Sequence, residues 1–379
     1  MVRKVIYVSG TRADYGLMSR SLKLWKSSGR LDVSVCVTGM HLLEAYGMTV
    51  NEILADKLKV CGQIPVNLSG DSGAMMAKAI ADALSGMVDV FTKEKPDIMI
   101  VLGDRGEMLA GALAAIHLNI PIVHIHGGER SGTVDEPVRH AISKLSHYHF
   151  TATEDARNRL IRMGELADRV FIVGAPGLDG LEQDAVLSRS KLCEDVGFSV
   201  DVPVILLLFH PVVQDADVAG EQIKVILNAL QKFDVQVLCL MPNADAGGSI
   251  IRSELEIFQQ HKKKQLHLVR HLPRQSFVSW LKHADVMVGN SSSGIIEAAT
   301  FNTPVVNVGN RQVGRERSAN VIDVEIEELK IRHAIELCLS QPRRSVMNVY
   351  GEGCSGQRML DLLVTLPMDK EVLNKLNAY

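Results

Sequence analysis

The stretch that decides the fold is Pro96–Gly128, PDIMIVLGDRGEMLAGALAAIHLNIPIVHIHGG. Two continuous apolar runs, Ile98–Leu102 and Ile120–Val123, lie on either side of a segment with helical periodicity, Glu107–His117. Neither run alternates polar with apolar residues, which is typical of parallel strands covered on both faces. A strand, a helix and a second strand within about 30 residues form a βαβ unit. The sequence therefore predicts a parallel sheet with helices packed against it.

The same alternation extends outward through the first half of the chain. Further strands are predicted at KVIYVSG (4–10), LDVSVCVTG (31–39), YHFTAT (148–153) and RVFIVG (169–174). Further helices are predicted at Leu17–Ser28, Ala74–Lys93, Glu136–His147 and Asp155–Met163. Strands that alternate with helices of this length predict a doubly wound sheet.

A second series of strands follows a polar stretch around residues 177–202. Its members are VPVILLLFH (202–210), VQVLCLMP (235–242), LHLVRHL (266–272), ADVMVGN (284–290) and PVVNVG (304–309). A chain of 379 residues is too long for one ordinary core. We therefore expect an α/β protein with two Rossmann-like doubly wound domains, residues 1–180 and 181–356.

Composition excludes several classes of protein. A net charge of −3, a pI near 6.5 and 4% aromatic residues provide neither the field nor the stacking surface that nucleic acid requires. No window of about 18 consecutive apolar residues predicts a membrane span, and the N-terminal MVRKVIYVSG is predicted as a strand rather than a signal peptide. The six cysteines form no CxxC pair, as expected of reduced core cysteines. We expect a soluble, cytoplasmic protein that binds neither nucleic acid nor membrane.

The sequence also predicts no metal site. Its histidines never fall in HExxH spacing, its cysteines do not pair, and the DAD at 215–217 lies in a polar loop.

Ligands of doubly wound sheets bind beyond the carboxyl ends of the strands, where this chain places polar residues repeatedly. Arg12 and Gly16 follow the first strand, outside any GxGxxG pattern, and a guanidinium beside a helix N-terminus suits a phosphate. A surface salt bridge in a turn would equally explain Arg12. His41 follows the second strand, where either a ligand contact or a structural role is expected.

The decisive stretch itself ends in charged residues. Asp104 and Arg105 follow one buried strand, where Asp104 can cap a helix, hold a substrate hydroxyl or serve acid–base chemistry. The next strand ends at His126, and Asp135 and Glu136 open the helix that follows. A carboxylate or histidine needs a pKa near neutrality to act as a base, and a cluster of like charges can provide it.

The second half contains the most specific motif, GNSSSGIIEAATF (289–301). A turn at Ser291–Gly294 can present hydroxyl and N–H groups to a diphosphate, and Glu297, expected in the first turn of the next helix, can accept both hydroxyls of a ribose. A capped helix with a favourably placed Glu is the plainer interpretation. His210, Asn243 and Arg311 lie at neighbouring strand ends. Together these residues favour a nucleoside-diphosphate site.

The ordered set GTRADYG, TGMH, GDR, HIHGGE, RHAISKLSHYHF, FHP, PNADAG, GNSSSGIIE and NTPVVNVGNRQVGRE covers residues 10–316. It resembles the hydrolysing UDP-N-acetylglucosamine 2-epimerases of bacterial sialic-acid biosynthesis. The resemblance implies a glycosyltransferase-B fold, with two Rossmann-like domains facing a central cleft that holds the UDP-sugar. It further implies that the last helix, about 357–379, packs back on the first domain, that the protein is a homodimer, and that no metal or other cofactor is needed.

The chemistry implied by the resemblance is anti elimination of UDP to give 2-acetamidoglucal, followed by hydration to N-acetylmannosamine. It assigns Asp104 and Asp135 to the chemistry, to which the strand-end pattern adds His126, Glu136 and His210. The residues that the resemblance assigns to substrate are Arg12, Ala13, Gly16, Arg105, His210, Asn243, Leu272, Ser291, Ser292, Glu297 and Arg311. The strand-end pattern adds His41, Ser293 and Gly294.

Two questions stay open at this level. Relatives that recycle UDP carry Glu where this chain has His126, so the group that removes the C2 proton is undetermined. Gly127 and Gly128 are expected to let the backbone approach the sugar.

The same motifs occur in the UDP-2,4-diacetamido-2,4,6-trideoxyglucose 2-epimerases of legionaminic-acid synthesis, and this activity is the alternative function. A UDP-sugar glycosyltransferase or a non-catalytic UDP-sugar sensor is a more distant alternative.

Overall fold

The computed structural model describes residues 2–68, 73–130, 135–212, 215–242, 247–262, 265–270 and 272–378, with only the backbone of Asp135. These residues form two compact units. The first combines the N-terminal part of the chain, up to Asp179, with the segment that begins at Tyr350. The second comprises Gly180–Val349.

The first unit is built on a seven-stranded parallel sheet with the strand order β3-β2-β1-β4-β5-β6-β7. Its strands are β1 Arg3–Ser9, β2 Leu31–Thr38, β3 Lys59–Ile64, β4 Ile98–Leu102, β5 Ile122–Ile125, β6 Tyr148–Thr151 and β7 Val170–Ile172. Its N-terminal helices are α1 Arg12–Ser27, α2 Val50–Ala55, α3 Gly73–Glu94, α4 Gly106–His117, α5 Asp135–Leu145 and α6 Glu154–Arg162.

The continuous apolar strands are explained by cores on both faces of this sheet. Along β1, Val5 and Tyr7 pack into one core, while Ile6 and Val8 pack into another on the opposite face. Successive side chains of a strand point to opposite faces, so a strand covered on both sides is apolar at most of its positions.

The second unit contains a six-stranded parallel sheet with the order β10-β9-β8-β11-β12-β13. Its strands are β8 Val204–Leu208, β9 Gln236–Leu240, β10 Leu266–Val269, β11 Val286–Gly289, β12 Val305–Val308 and β13 Val321–Val324. Its helices are α7 Leu181–Asp184, α8 Arg189–Val196, α9 Ala219–Leu230, α10 Gly248–His261, α11 Arg274–His283, α12 Ser292–Ile296 and α13 Glu328–Ser340. The predicted fold class, with two doubly wound parallel sheets, is confirmed.

The chain then returns to the first unit through α14 Ser355–Thr365 and α15 Lys370–Leu373. The Asp179 carboxylate accepts hydrogen bonds from the backbone N–H groups of Ser355 and Gly356, at 2.8 and 2.6 Å. The indole of Trp25 donates to the carbonyl of Gly356 at 2.9 Å. The first unit is thus completed by residues from both ends of the chain.

The structure differs from the sequence-based expectation at element edges. β3 and β13 are additional strands at the edges of the two sheets, and their half-exposed residues lack a continuous apolar run. Helix α1 begins at Arg12 rather than at Leu17, because Thr11 and Asp14 form a capping box in front of it. Within the described residues, no helix has the length and apolar character needed to cross a bilayer.

Candidate active site

The turn after β1 is organised around a buried carboxylate. Asp14 accepts hydrogen bonds from the backbone N–H of Gly10 at 3.1 Å and of Thr11 at 2.7 Å, and from the hydroxyl of Ser9. Burial raises the pKa of Asp14, while these donors oppose the rise. With Asp14 facing inward, Arg12 and Ala13 are left exposed at the start of α1.

The side chains around this turn leave room beside it. Arg12 Nε lies 2.8 Å from a Glu52 carboxylate oxygen, as the salt-bridge interpretation expected. A Cβ built on Gly16 would meet no atom within 4 Å. Both findings are compatible with an anion beside Arg12.

His41 is fully buried and supports the same turn. Its Nε2 lies 2.9 Å from the Ser9 hydroxyl, and its Nδ1 lies 2.8 Å from the Thr49 hydroxyl. Burial lowers its pKa to about 4, so the ring is neutral near pH 7. Both nitrogens are used inside the protein, which gives His41 a structural position.

The end of β4 is linked to helix α5 by an ion pair. Arg139, which is buried, donates from Nη2 to the Asp104 carboxylate and from Nη1 to the carbonyl of Glu129 at 3.0 Å. One guanidinium therefore fixes both Asp104 and the loop that follows β5. Arg105 is half-exposed, 3.4 Å from the Glu107 carboxylate.

His126 lies at the end of β5 in an unusual conformation. Its φ is 63°, in the left-handed region, and its backbone N–H still donates to the carbonyl of Phe150 at 3.0 Å. Its Nδ1 is 2.9 Å from Oε1 of Glu129. Its buried Nε2 has no hydrogen-bond partner among the described residues.

The two glycines after His126 are explained by close packing, without the expected approach of the backbone to the sugar. A Cβ on Gly127 would lie 2.9 Å from Nδ1 of His124, and a Cβ on Gly128, whose φ is 77°, would lie 2.3 Å from the carbonyl oxygen of Ala156. Close packing inside the first unit requires these glycines, so the expected close approach to the sugar is not needed to explain them.

Helix α5 carries the remaining predicted groups of the first unit. Glu136 lies 3.5 Å from Nε2 of His140, one turn further along the helix. The side chain of Asp135 lies outside the described residues, so its predicted role stays a prediction.

In the second unit, Asn290 joins the ends of β8 and β11. Its Oδ1 accepts the backbone N–H of His210 at 2.7 Å, and its Nδ2 donates to the carbonyl of His210 at 2.8 Å. Its own carbonyl accepts from Arg311 Nη1 at 3.1 Å and from Gln312 Nε2 at 2.9 Å. Asn290 thus fixes the two strand-end residues that were predicted to bind the diphosphate.

His210, just beyond the end of β8, is a neutral group. Burial, and then the charge of Arg311, lower its pKa to about 4. The ring is therefore neutral at pH 7 in the unliganded protein, and it can offer an N–H donor but no charge. Arg311 carries a positive charge beside it.

The Ser291–Gly294 turn uses part of its hydrogen-bonding capacity internally. The Ser291 hydroxyl accepts from the N–H of Ser293 at 3.3 Å, and the Ser291 carbonyl accepts from the N–H of Gly294 at 3.1 Å. A Cβ on Gly294 would lie 2.9 Å from the Val305 side chain, which explains this glycine by packing. Ser292 opens α12 and is half-buried.

Glu297 lies one turn later than predicted. Helix α12 ends at Ile296, so Glu297 is its C-cap rather than a residue of its first turn. Burial raises the pKa of Glu297, partly offset by the charge of Arg274 and by a hydrogen bond from the Ser293 side chain. Leu272 is half-buried ahead of α11, and Asn243 lies outside the described residues.

Comparison with models of known protein families shows which family the chain belongs to. Residues 23–364 match the family model described as UDP-N-acetylglucosamine 2-epimerase. The chain belongs to this family.

The chain is also similar, along most of its length, to two individual proteins of known activity. It is 52% identical, over 379 residues and 100% of both chains, to a hydrolysing UDP-N,N'-diacetylbacillosamine 2-epimerase of Legionella pneumophila. It is 34% identical over 329 residues, 86% of this chain and 85% of the other, to a hydrolysing GDP/UDP-N,N'-diacetylbacillosamine 2-epimerase of Campylobacter jejuni.

A solved structure supports the fold. The UDP-GlcNAc 2-epimerase of Neisseria meningitidis, bound to UDP-GlcNAc, superposes with a TM-score of 0.80 at 20% identity, covering 95% of this chain and 99% of that one. At this identity the likeness concerns the fold, which is of the glycosyltransferase-B type.

Sequence patterns missed several residues that hold parts of the candidate site in place. Asn290 connects the predicted residues His210 and Arg311, and Gln312 in turn contacts Asn290. Arg139 connects the predicted Asp104 to Glu129, and Glu129 lies against the predicted His126. Arg139 and Glu129 were visible as charges near a strand end, but their partners depend on tertiary geometry. Among the described residues, no group of three or more His, Cys, Asp or Glu could hold a metal ion.

Proposed function

We propose that this enzyme is a hydrolysing UDP-N,N'-diacetylbacillosamine 2-epimerase. It would convert UDP-2,4-diacetamido-2,4,6-trideoxyglucose and water into UDP and the free manno-configured sugar. The observation that carries this proposal is the 52% identity with a relative of that activity along the full length of both chains. The reaction expected first from the sequence, on UDP-GlcNAc, is supported less well than this alternative.

The second unit is proposed to bind the UDP moiety. Arg311 would neutralise the diphosphate, with N–H and hydroxyl donors from His210 and the Ser291–Gly294 turn. Glu297 would accept the ribose hydroxyls, which suits a carboxylate that is buried beside Arg274. Donors aimed at a departing diphosphate stabilise charge as it develops and so accelerate elimination.

The first unit is proposed to act on the sugar. No carbonyl activates the C2 proton, so elimination must be driven by UDP departure, with oxocarbenium character at C1. As the C1–O bond breaks, its electron pair leaves with UDP, and the C2–H electrons form the C1=C2 double bond. Water then adds its oxygen to C1, and a proton returns to C2 from the opposite face. Asp104, whose carboxylate is paired with Arg139, is proposed to assist these proton transfers.

Proton NMR with each UDP-sugar in D₂O tests the proposal. We expect release of UDP, a manno-configured free sugar and deuterium at C2. The diacetamido substrate should exceed UDP-GlcNAc in kcat/KM by at least about tenfold, since one substituent in a specific pocket is worth about 10–200-fold. A preference for UDP-GlcNAc would reverse the substrate assignment. Transfer to an acceptor without free sugar would indicate a glycosyltransferase, and binding without turnover a sensor.

We further propose that the reaction needs no metal or organic cofactor. Enzyme dialysed against EDTA should retain its full rate in the same assay. A rate that falls and returns with added Mg²⁺ or Mn²⁺ would contradict this.

A further inference from the structure

The loop after β5 combines a histidine and a carboxylate in a way that the proposed chemistry does not yet use. His126 Nδ1 and Glu129 Oε1 are 2.9 Å apart, and both residues are more than nine-tenths buried. An ionised carboxylate can only accept hydrogen bonds. A lone pair on Nδ1 would be repelled by a carboxylate oxygen 2.9 Å away, so the neutral His126 ring favours its hydrogen on Nδ1 and a lone pair on Nε2.

Nε2 of His126 is the ring nitrogen that remains available for a proton or a substrate group. It is buried, and no hydrogen-bond partner for it exists among the described residues. A buried polar atom without a partner is uncommon in a native protein and calls for a reason. A proton or a substrate group at Nε2 would satisfy it.

The backbone holds this loop in a conformation that ordinary packing would not select. A non-glycine residue in the left-handed region is strained and persists where the surroundings enforce it. Here the surroundings are two guanidinium groups. Arg139 donates to the carbonyl of Glu129, and Arg159 donates to the carbonyl of Gly128. The φ of 63° turns His126 out of the strand, with its ring against Glu129.

We propose that Glu129 is a positioning residue that holds His126 in the Nδ1–H tautomer, so that Nε2 of His126 accepts the C2 proton during elimination. This deepens, and rests on, the proposed function. The C2–H bond breaks, its electrons form the C1=C2 double bond, and UDP leaves with the C1–O pair. The proton on Nε2 makes an imidazolium, which the charge of Glu129 stabilises.

Other charged groups near His126 do not replace Glu129 in this role. His124 is on the same strand, but its ring is used by the Ser143 hydroxyl at 3.1 Å and by the carbonyl of Gly103 at 2.7 Å. The guanidinium of Arg139 carries the wrong charge to orient an imidazole through Nδ1–H. The Asp104 carboxylate is engaged with Arg139.

Kinetics of Glu129→Gln give the first test. Gln keeps the shape of Glu but can donate as well as accept, so the tautomer is no longer imposed. We expect kcat to fall by at least about tenfold, toward the ~10⁴-fold loss seen when the carboxylate that orients a catalytic histidine is neutralised, with KM changed less than threefold. His126→Gln should stop UDP release while UDP still binds. The matched control is Glu154→Gln, an exposed carboxylate on α6 of the same unit, which should leave kcat unchanged.

¹⁵N NMR of histidine-labelled, unliganded full-length protein gives the second test and needs no turnover. The His126 signals are those lost in His126→Gln. We expect a protonated Nδ1 and an unprotonated Nε2 in the native protein, and a mixture of tautomers in Glu129→Gln. A protonated Nε2 in the native protein, or a Glu129→Gln variant with native kcat, would overturn the proposal. If no UDP-sugar is turned over but the Nδ1–H tautomer is seen, the proposed function fails and the Glu129–His126 pair stands.

Discussion

At the scale of single residues, the candidate site contains buried side chains that fix the positions of its predicted functional residues. Arg139 is buried and joins Asp104 to the loop after β5. The Asn290 side chain hydrogen-bonds to both the backbone N–H and the backbone carbonyl of His210. Side chains fixed in this way lose little entropy when substrate arrives, which is how a preorganised site gains rate.

Asp104→Asn is expected to lower kcat by about 10²–10⁴-fold, the usual worth of general acid–base assistance. The amide cannot take up a proton, and its ion pair with Arg139 is lost. Affinity for UDP, measured by calorimetry, should stay within about threefold. Asp82→Asn, at an exposed position on α3, is the control. Full activity of Asp104→Asn would end this assignment.

Gly289→Ala tests the junction between β8 and β11. Gly289 has a φ of 133°, and a Cβ there would lie 1.9 Å from the carbonyl oxygen of Leu208. Strain and a backbone clash together should cost about 4 kcal/mol or more. We expect a much lower midpoint in urea unfolding, or an insoluble protein. Gly73→Ala, on α3 with no atom within 4 Å of the new Cβ, should unfold like the native protein.

At the scale of elements, helix α5 is fixed at its carboxyl end by the C-terminal segment. Lys375 Nζ donates to the carbonyls of Ser143, Lys144 and Ser146 at 3.0, 3.0 and 2.6 Å. It also lies 2.7 Å from the carboxylate of Glu165. The last carbonyls of a helix lack partners within the helix, and a cation there is favourable.

Removing this contact is expected to weaken both the unit and its chemistry. Lys375→Met leaves the helix-end carbonyls and a buried Glu165 with one cation fewer, a loss of about 3–5 kcal/mol in the unfolding free energy. Because α5 carries Arg139, kcat should fall with stability. Urea unfolding and steady-state kinetics measure the two effects, with Lys370→Met, an exposed lysine of α15, as control. Equal stability of the two variants would contradict the role given to Lys375.

Elements differ in how far the sequence predicted them. The strands of the βαβ stretch were predictable because burial on both faces leaves them almost wholly apolar, with His124 as the polar residue of β5. β3 and β13 were not, since an edge strand is half-exposed and its pattern resembles a loop. The positions of Asp104 and His210 beyond strand ends were predictable because these polar residues closely follow apolar runs, while their roles stay predictions. Glu129 was not, because its partnership with His126 depends on a left-handed residue that no pattern marks.

At the scale of the whole molecule, buried neutral histidines make stability depend on pH. Burial lowers the pKa of His41 and His147 to about 4 and that of His124 to about 3, against 6.5 for the ordinary group. All three belong to the first unit. Their folded pKa lies below the unfolded value, so the unfolded chain binds more protons between pH 6.5 and 4. Stability is therefore full above pH 6.5 and declines as the pH falls through this window.

Thermal unfolding at pH 7.5 and 5.0 measures this loss. Each histidine should contribute about 1–2 kcal/mol by pH 5, and hydrogen exchange should show the first unit opening more readily. His147 accepts the backbone N–H of Ile122 at Nδ1, at 3.0 Å, which requires a neutral ring. His147→Gln should flatten the pH dependence relative to exposed His117→Gln. An identical pH dependence in both variants would contradict the assignment.

The core of the first unit combines residues that are far apart in the sequence, which affects when it can form during translation. Trp25 and Leu22 of α1 share a core with Met359 and Leu363 of α14, which are translated after Gly180–Val349. In a nascent chain these α1 side chains therefore lack their α14 partners while Gly180–Val349 is made. A chain truncated just before α14 would leave Trp25 and Leu22 permanently without these core partners.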